Sequence, residues 1–517
     1  MSTPARSCRN LHLILGDQLD ADSSGLMHID PAQDMVLMIE AWEESTHVAS
    51  HKARTALFLS AMRHFAQSLE ARGLQVHYRK LDEKADTSLA QGLQAALEQF
   101  QPQGVIGVEP GDLRVRAALD AVCTAKKIAL EWREDRHFLC SPLEFRQWAG
   151  KSSSLRMEFF YRRMRQRYKI LMDGDEPVGG QWNLDAENRK GFGRAGPQAL
   201  PQPPVFENDA MTREVLDLVE ERFGGNPGSL AHFNWPVTRV QALRALQDFI
   251  EHRLPLFGQH QDAMWTGMTF GWHALLSSAL NLKLLNPLEV VHAAEQAFYA
   301  RALPLASVEG FIRQVLGWRE FTRGVYFLDM PELKEANHYK HERALPSWYW
   351  TAQTQMNCMR ECVGQSLAHG YAHHIQRLMI TGMFGVMAEI KPQVLCDWYL
   401  GMYVDAVEWV ELPNTAGMAL FANGGRFTSK PYVASGAYVK RMSNYCGDCT
   451  YQPEAKTGAT ACPMTTLYWN FLDKHESAFG SNPRTALMVK NLQRLPDAER
   501  QTLRERAAQM LENLDAL

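Results

Sequence analysis

LHLILGDQL, residues 11–19, is a short apolar run that ends in a tight turn, and it decides the fold of the first part of the chain. Four further β-rich runs follow it before about residue 135: MVLMIE, LQVHYRKL, GVIGVE and IALEW. Stretches with helical periodicity, such as TALFLSAMRHFAQSLEARG, separate these runs. Short strands that alternate with helices predict a doubly wound α/β domain built on a parallel sheet.

The turn Gly16-Asp17-Gln18 lies at the carboxyl end of the first predicted strand. Open α/β sheets bind their ligands at that edge. The turn is therefore a candidate binding site, and a tight turn that caps the next segment is the alternative. No GxGxxG follows the strand, so a dinucleotide held by the usual glycine-rich phosphate loop is not expected here.

The organisation changes after this domain. Residues 139–230 contain the Gly- and Pro-rich stretches DGDEPVGGQWN and GPQALPQPPV, which indicate a long connector. Within it, RMEFFYRRMRQRYKILM predicts a helix whose arginines form a solvated face: Arg162, Arg163, Arg165 and Arg167. From about residue 231 helical periodicity continues to the end. We expect an α/β domain at 1–138, a connector at 139–230 and a helical domain at 231–517.

Composition narrows the class of protein. A chain of 517 residues with 46% hydrophobic content predicts more than one core. The net charge is only −4, so binding to nucleic acid would depend on a local basic patch. The N-terminus resembles neither a signal peptide nor a spanning helix, which makes the cytoplasm the expected location. In that compartment nine cysteines indicate buried thiols and one metal site rather than disulfides.

Three of the cysteines lie close together in NYCGDCTYQPEAKTGATACP, residues 444–463. The spacing lets Cys446, Cys449 and Cys462 converge, and a fourth sulfur would come from Cys358 or Cys362, which share one helix face upstream. Four thiolates followed by proline suit an iron-sulfur cluster, and structural zinc is the alternative. A redox C-x-x-C is disfavoured because no thioredoxin-like βαβ unit surrounds it.

Two adjacent histidines are candidates for proton transfer. His373 and His374 fall on a predicted helix, with Arg377 one turn beyond His373. Adjacent helical residues point in different directions, so one imidazole would reach a substrate while the other packs or orients it. Histidine exchanges protons near neutral pH, which suits a general acid. A structural role is the alternative.

Two other groups of side chains carry possible functions. The aromatic clusters CDWYLG and SWYW contain Trp398, Tyr399, Trp348 and Trp350, which form core or relay an electron to a redox cofactor. The segment NGGRFTSKPYVASGAYVKR combines cations with aromatic rings, as a surface that grips phosphates and stacks a base requires. Its members are Arg426, Lys430, Lys440 and Arg441 with Phe427, Tyr432 and Tyr438.

Ordered motifs along almost the whole chain resemble the photolyase and cryptochrome superfamily, and within it the iron-sulfur bacterial cryptochromes and photolyases, or prokaryotic (6-4) photolyases. These motifs are LILGDQL, SAMRHFA, RMEFFYR, GGQWNLDAENRK, EGFIRQVLGWREF, AHHIQRLMI, CDWYLGMYVDAVEWVELPNTAGM and the set of four cysteines.

The resemblance implies three cofactors. Flavin adenine dinucleotide (FAD) would lie in the helical domain, near His273, Ser277, Glu309, Arg313, Trp318, Arg377, Glu411 and Asn414. The last segment differs from the family's DGDLASNNGG, so the resemblance does not name the residue that faces flavin N5. A 4Fe-4S cluster would be held by Cys358, Cys446, Cys449 and Cys462, which would fasten the segment of about 440–470 to the flavin domain. A lumazine antenna, 6,7-dimethyl-8-ribityllumazine, would bind at Gly16, Asp17, Gln18, Glu40 and Glu44.

The implied reaction is the light-dependent reversal of (6-4) pyrimidine-pyrimidone photoproducts in UV-damaged DNA. Photoexcited reduced FAD would give an electron to a flipped-out lesion, and His374 would supply a proton with support from His373. Trp350, Trp398 and Tyr399 match the family's electron relay, and Tyr432 is the candidate for packing on the lesion. A cryptochrome-like photoreceptor without repair and a zinc-stapled nucleic-acid-binding scaffold are the alternatives. No membrane and no obligate protein partner are implied.

Overall fold

The first domain is built on a parallel five-stranded sheet. In the computed structural model, which describes residues 8–81 and 87–517, the strand order is β3-β2-β1-β4-β5. The strands are β1 Asn10–Ile14, β2 Met35–Ile39, β3 Val76–Arg79, β4 Gly104–Val108 and β5 Ala129–Arg133. All five β-rich runs therefore form strands, and the predicted doubly wound sheet is confirmed.

Helices cover both faces of the sheet: α1 Lys52–Ala71, α2 Leu89–Phe100 and α3 Leu113–Lys126. Successive side chains of a strand point to opposite faces. Leu37 and Ile39 enter a small core beneath α2 and α3, whereas Val36 and Met38 join a second core beneath α1. The second core runs on without interruption into the helical domain. The sheet is thus attached to that domain through one face.

The connector is more ordered than its composition indicates. It forms α4 Pro142–Ala149, α5 Met157–Tyr168, a short antiparallel pair (β6 Met172–Asp173, β7 Glu176–Pro177) and α6 Ala210–Arg222. The prediction of a solvated arginine face is wrong for Arg165, which is fully buried and donates a 3.1 Å hydrogen bond to the carbonyl oxygen of Ile170. That carbonyl and the neighbouring Tyr161 ring hold the guanidinium inside the protein.

The rest of the chain is helical. The helices are α7 Arg239–Asp248, α8 Leu254–His260, α9 Ser277–Asn281, α10 Pro287–Arg301, α11 Leu305–Ile312, α12 Glu320–Asp329, α13 Asn357–His369, α14 His374–Gln376, α15 Met383–Met387, α16 Pro392–Met402, α17 Glu408–Leu412, α18 Gly436–Met442, α19 Pro463–Lys474, α20 Glu476–Gly480, α21 Ala486–Leu492 and α22 Asp497–Glu512. No helix among the described residues has the length and apolar character needed to cross a membrane. Residues 1–7, part of the N-terminus predicted to lack a leader, lie outside the described residues.

Wider, π-helical turns interrupt this domain at residues that the sequence marks as functional. They span Arg313–Arg319, Arg377–Gly382 and Pro413–Ala419, and a fourth spans Phe249–Arg253. Such turns occur often at functional sites because the extra residue changes the direction of neighbouring side chains. Three of the four thus contain residues that the sequence assigns to the cofactor.

Aromatic packing joins the connector to the helical domain. The rings of Phe145 on α4 and Phe321 on α12 lie 5.6 Å apart, and both are fully buried. Gly324 on α12 allows this approach, since a Cβ there would overlap the Phe145 ring. Because Gly324 has no Cβ, α4 can pack this closely against α12.

We expect Gly324→Ala to lower the free energy of unfolding by about 1–3 kcal/mol, because overpacking at a filled contact outweighs the gain in helix propensity. Gly364→Ala is the matched control, since its Cβ would have its nearest neighbour, Ala352, at 3.8 Å. That helical substitution is expected to be neutral or to stabilise by up to about 1 kcal/mol. Urea titration measures both, and equal stabilities for the two variants would contradict the docking argument.

Candidate functional site

The histidine pair lies at the start of α14 rather than within a helix. His373 precedes the first turn with extended backbone (φ −77°, ψ 163°), and His374 is the first helical residue. The prediction that both lie on a helix is wrong for His373. The Gln376 side chain accepts the His373 backbone N–H at 3.0 Å, which satisfies a donor that a helix start otherwise leaves free.

The two imidazoles have different surroundings. His373 is buried and stacks on His273, with ring centroids 4.5 Å apart and planes 14° apart. His374 is exposed to solvent, yet enough protein surrounds its ring to desolvate it, so it lies in an open recess. The surrounding protein, then Arg377 and Arg189, lowers the pKa of His374 to about 4. Burial lowers the pKa of His373 well below its usual range, so both rings are neutral at pH 7 in the free protein.

A buried ion pair forms the centre of the recess. The Arg377 guanidinium binds the Asp405 carboxylate at 3.0 and 3.2 Å, and Ser277 Oγ donates to the same carboxylate at 2.6 Å. The guanidinium carbon lies 3.8 Å from the centroid of the Tyr403 ring. Glu411 lies 3.9 Å from Arg377, and burial raises the pKa of its carboxyl group. The structure therefore groups Ser277, Arg377 and Glu411, three of the residues expected near the cofactor.

The connector supplies a second wall. Arg313 binds Glu309 at 3.0 Å and Asp185 at 3.3 Å, and it donates to the Asn183 amide oxygen at 3.1 Å. Asp185 also pairs with Arg189, the cation that acts on His374. The Glu309–Arg313 pair is thus linked to the histidine recess through the connector.

Sequence reasoning missed Asp405, Asn183, Asp185 and Arg189. Each lies inside a quoted motif, CDWYLGMYVDAVEW or GGQWNLDAENRK, and their charges within apolar or Gly-rich runs were an available signal. For two of the residues expected near the cofactor, the structure records contacts within the protein. Asn414 donates to the Val410 carbonyl oxygen at 2.7 Å, and Trp318 packs edge-on against Phe321 at 6.0 Å.

Several buried polar atoms in these two groups have no hydrogen-bond partner within the described part of the chain. They are His273 Nε2, both ring nitrogens of His373, Glu309 Oε1 and Arg313 Nε. Such atoms are costly unless a ligand or water satisfies them. Donors and acceptors occur together, so the residues present fit a large polar cofactor such as a flavin dinucleotide.

A series of contacting aromatic rings begins at the Arg377 backbone. Tyr399 donates from its hydroxyl to the Arg377 carbonyl oxygen at 2.6 Å, and its ring centroid is 5.3 Å from that of Trp398. Trp398 contacts Tyr349 at 5.1 Å, and Tyr349 stacks on Trp348 at 4.6 Å. Trp350 is 37% exposed at the surface. The ring contacts thus connect Trp398 and Tyr399 and add Tyr349, which the sequence analysis did not select.

The predicted DNA-contacting residues differ in exposure and in whether a carboxylate already pairs with them. Arg426 binds Asp329 at 3.1 Å, and Lys440 is paired with Glu454. Arg441 is exposed and lies over the Tyr438 ring at 5.4 Å, and Lys430 is half-buried. Tyr432 is half-buried, and burial raises the pKa of its hydroxyl, which Arg189 opposes. Tyr432 therefore shares its surroundings with the histidine recess.

The four cysteines implied by the resemblance line one small cavity beside α13, α18 and α19: Cys358, Cys446, Cys449 and Cys462. Burial, followed by repulsion from Cys462 and Cys449, raises the pKa of Cys446 to about 12. A bound metal ion would lower the pKa of these thiols instead, because its ligands are thiolates. In residues 8–81 and 87–517, no three His, Cys, Asp or Glu side chains stand close enough to hold one metal ion. The cluster stays a prediction.

A second cavity, of about 110 Å³, lies between the carboxyl edge of the sheet and the helical domain. Gly16, Asp17, Glu40 and Glu44 line it. Gln18 instead donates to the Val108 carbonyl oxygen at 3.1 Å. Four of the five predicted antenna residues therefore share one cavity.

The helical domain also contributes a wall that the sequence did not indicate. Asp112 and Glu408 line the same cavity from opposite domains. Burial, followed by the charge of Asp112, raises the pKa of Glu408 to about 7. The Tyr326 hydroxyl donates to Glu408 at 2.8 Å and accepts the Leu113 N–H at 3.0 Å. This carboxyl group ties the two domains together at the cavity.

Comparisons with known proteins agree with these features. The family model for deoxyribodipyrimidine photo-lyase-related protein matches residues 12–235. A (6-4) photolyase of Agrobacterium fabrum (strain C58) is 45% identical over 507 residues, which cover 98% of this chain and 99% of that protein.

Solved structures share the fold. A bacterial class III photolyase from Agrobacterium tumefaciens matches with a TM-score of 0.58 at 14% identity and covers 99% of both chains. A cryptochrome of Synechocystis sp. PCC6803 matches with a TM-score of 0.54 at 14% identity, over 81% of this chain and 83% of that one. With an identity of 45% to a (6-4) photolyase over nearly its full length, the chain belongs to the photolyase and cryptochrome superfamily, within the branch that contains the (6-4) photolyases.

Proposed function

We propose that this protein uses light to revert (6-4) pyrimidine-pyrimidone photoproducts in DNA. The observation that carries the proposal is the position of His374, exposed to solvent in an open recess beside the Arg377–Asp405 ion pair. A (6-4) lesion has transferred a hydroxyl or amino group between bases. Its reversal needs a proton donor next to the cofactor, which splitting of a cyclobutane ring does not.

FAD would occupy the recess. Bound in its reduced state and excited by light, it would supply the electron that opens the lesion. His273, Ser277 and Arg377 would hold it on one side, and Glu309 and Arg313 on the other. The ion pairs around Arg377 and Arg313 keep these side chains in place before the cofactor binds, which lowers the entropic cost of binding.

The electrostatics of His374 favour protonation only when DNA is bound. Arg377 and Arg189 help to lower its pKa in the free protein. A lesion brought into the recess carries phosphates, whose negative charge opposes those two cations and raises the pKa again. His374 would then be a donor when substrate is present and a neutral ring otherwise. His373, buried against His273, would fix the position of its neighbour.

The DNA would lie across the mouth of the recess. Exposed Arg441 and half-buried Lys430 would contact phosphates, while Arg426 and Lys440 would contribute less because each is already paired with a carboxylate. Tyr432 has the flat ring that stacking on an extruded base requires, and it lies near Arg189.

We also infer that the remaining two sites hold a 4Fe-4S cluster and a lumazine antenna. Thiols that line a cavity, rather than converge on one point, fit a cluster better than a single zinc ion, whose sulfur ligands all lie about 2.3 Å from it. For the antenna, the cavity at the carboxyl edge of the sheet combines apolar walls with carboxylates, as a ribityl-bearing heterocycle requires.

Incubation with a duplex that carries a single (6-4) lesion tests the main proposal. The reduced, illuminated holoprotein is expected to restore the two pyrimidines, measured by chromatography of the digested strand. The same mixture kept dark is the control. A protein with intact flavin that changes its absorption under light but leaves the lesion untouched would instead be a photoreceptor.

His374→Gln is expected to reduce repair by about 100-fold or more with normal flavin content, because it removes the proton donor. Wild-type repair should fall as the pH rises from 6 to 8, since the imidazolium form of His374 in the DNA complex is lost as the pH rises above its pKa. The variant should lose this dependence. His369→Gln, a half-buried histidine that stacks on His232 at the end of α13, is the control. Equal repair by both variants would contradict the assignment.

Removal of cysteines distinguishes the ligands. Cys358→Ala should lose the iron and the broad visible absorption of the cluster, because Cys358 lines the thiol cavity. Cys362→Ala, one turn away and equally buried, should keep both. Metal analysis of the purified variants measures iron and zinc per chain. Zinc in place of iron in the wild type would support the scaffold alternative.

A further inference from the structure

We propose that Gln376 positions the histidine pair by connecting it to the cysteine-bearing segment through Tyr445. This inference rests on the proposed function and adds a positioning residue to it. The network consists of Gln376, Gln365, Tyr445 and the backbone from Tyr371 to His373.

Gln376 is fully buried, yet all four of its hydrogen-bonding positions are used. Its amide oxygen accepts the His373 backbone N–H at 3.0 Å and the Gln365 Nε2 at 3.0 Å. Its amide nitrogen donates to Gln365 Oε1 at 3.1 Å and to the Tyr445 hydroxyl at 3.3 Å. The reversed amide would set a donor against the His373 N–H, so the orientation is determined.

Gln365 binds the backbone just before the histidine pair. Its Nε2 donates to the Tyr371 carbonyl oxygen and to the Thr269 carbonyl oxygen, both at 3.2 Å. The backbone that leads into His373 is therefore held at Tyr371 by Gln365 and at His373 by Gln376. The fully buried Gln376 amide and the partly buried Gln365 amide are paired with each other and resist any shift of this segment, because a broken bond would leave a polar group of Gln376 unpaired in the interior.

Tyr445 connects this pair to the thiol cavity. Its side chain lines the cavity with the four cysteines, and it precedes Cys446 directly in the chain. Its carbonyl oxygen accepts from Asn357 Nδ2 at 2.8 Å, and Asn357 precedes Cys358 on α13. Tyr445 is thus fixed by the two segments that carry the cysteines. Its hydroxyl accepts a hydrogen bond from Gln376, whose amide oxygen in turn accepts the His373 backbone N–H.

The consequence concerns geometry rather than electron flow. His373 stacks on His273, and its neighbour His374 faces the recess, so a shift of the His373 backbone moves the proposed proton donor. A displacement of about 1 Å can cost about 100-fold in rate where a reacting group must be aligned. The cysteine-bearing segment therefore supports the lesion side of the site through the Tyr445 and Gln376 side chains.

Three variants test the network. Gln376→Leu removes all four bonds of the amide and should lower repair per absorbed photon about tenfold. Tyr445→Phe removes one hydroxyl group and should lower it about threefold. Tyr168→Phe is the control, since its hydroxyl donates at 2.7 Å to the Leu139 carbonyl oxygen in the connector. Affinity for the lesion duplex and the content of iron and flavin should match the wild type in all three.

The pH profile of repair separates positioning from a general loss of stability. It should shift in Gln376→Leu and Tyr445→Phe, because His374 sits in altered surroundings, and stay unchanged in Tyr168→Phe. Wild-type repair and an unshifted profile in both network variants would overturn the proposal. If Gln376→Leu fails to fold, Tyr445→Phe alone decides.

Crystal structures make the outcome independent of catalysis. The stack of His373 on His273 should be displaced in Tyr445→Phe and kept in Tyr168→Phe. Should the wild type prove inactive on (6-4) lesions, the proposed function fails, but a displaced stack would still support the network. An undisturbed stack would overturn it.

Discussion

The buried pair of Arg377 and Asp405 is the interaction on which the arrangement of the helical domain depends. The Asp405 carboxylate accepts from Arg377 and from Ser277, and its backbone oxygen accepts from Asn281 Nδ2 at 2.7 Å. Three segments distant in sequence thus meet at one residue. Removing one partner of a buried pair leaves an uncompensated charge, which typically costs about 3–5 kcal/mol. The recess is therefore fixed before any cofactor enters it.

The histidine recess combines positively charged arginines with a neutral imidazole. Arg377, Arg189 and burial together keep His374 unprotonated in the free protein, although a proton donor is what the proposed reaction needs. In the proposed reaction the substrate would resolve this conflict, because its anionic backbone would compensate those cations. Under the proposed function, such a site would hold its proton donor inactive until the polyanion arrives.

The sequence predicts the sheet well because apolar strands and intervening helices follow periodic patterns that local propensity enforces. It also locates the cysteines, the histidines and Arg377, whose motifs are contiguous. It could not predict that Arg189, held by Asp185, lies near His374, which is distant in sequence, or that Arg165 is buried. Those outcomes depend on tertiary contacts. Likewise, the His373 backbone is extended because this residue precedes the first turn of α14, where the Gln376 side chain accepts its N–H. Helical periodicity does not encode such a helix start.

Helix α17 couples the two proposed ligand sites. Glu408 at its start lines the cavity beside the sheet, and Glu411, three residues on, faces Arg377 in the recess. Gly111 of the sheet domain approaches the Trp409 ring so closely that a Cβ there would overlap it. The sheet edge is thus docked directly on the helix that reaches the flavin recess. Less than one helical turn therefore separates the residues that face each site.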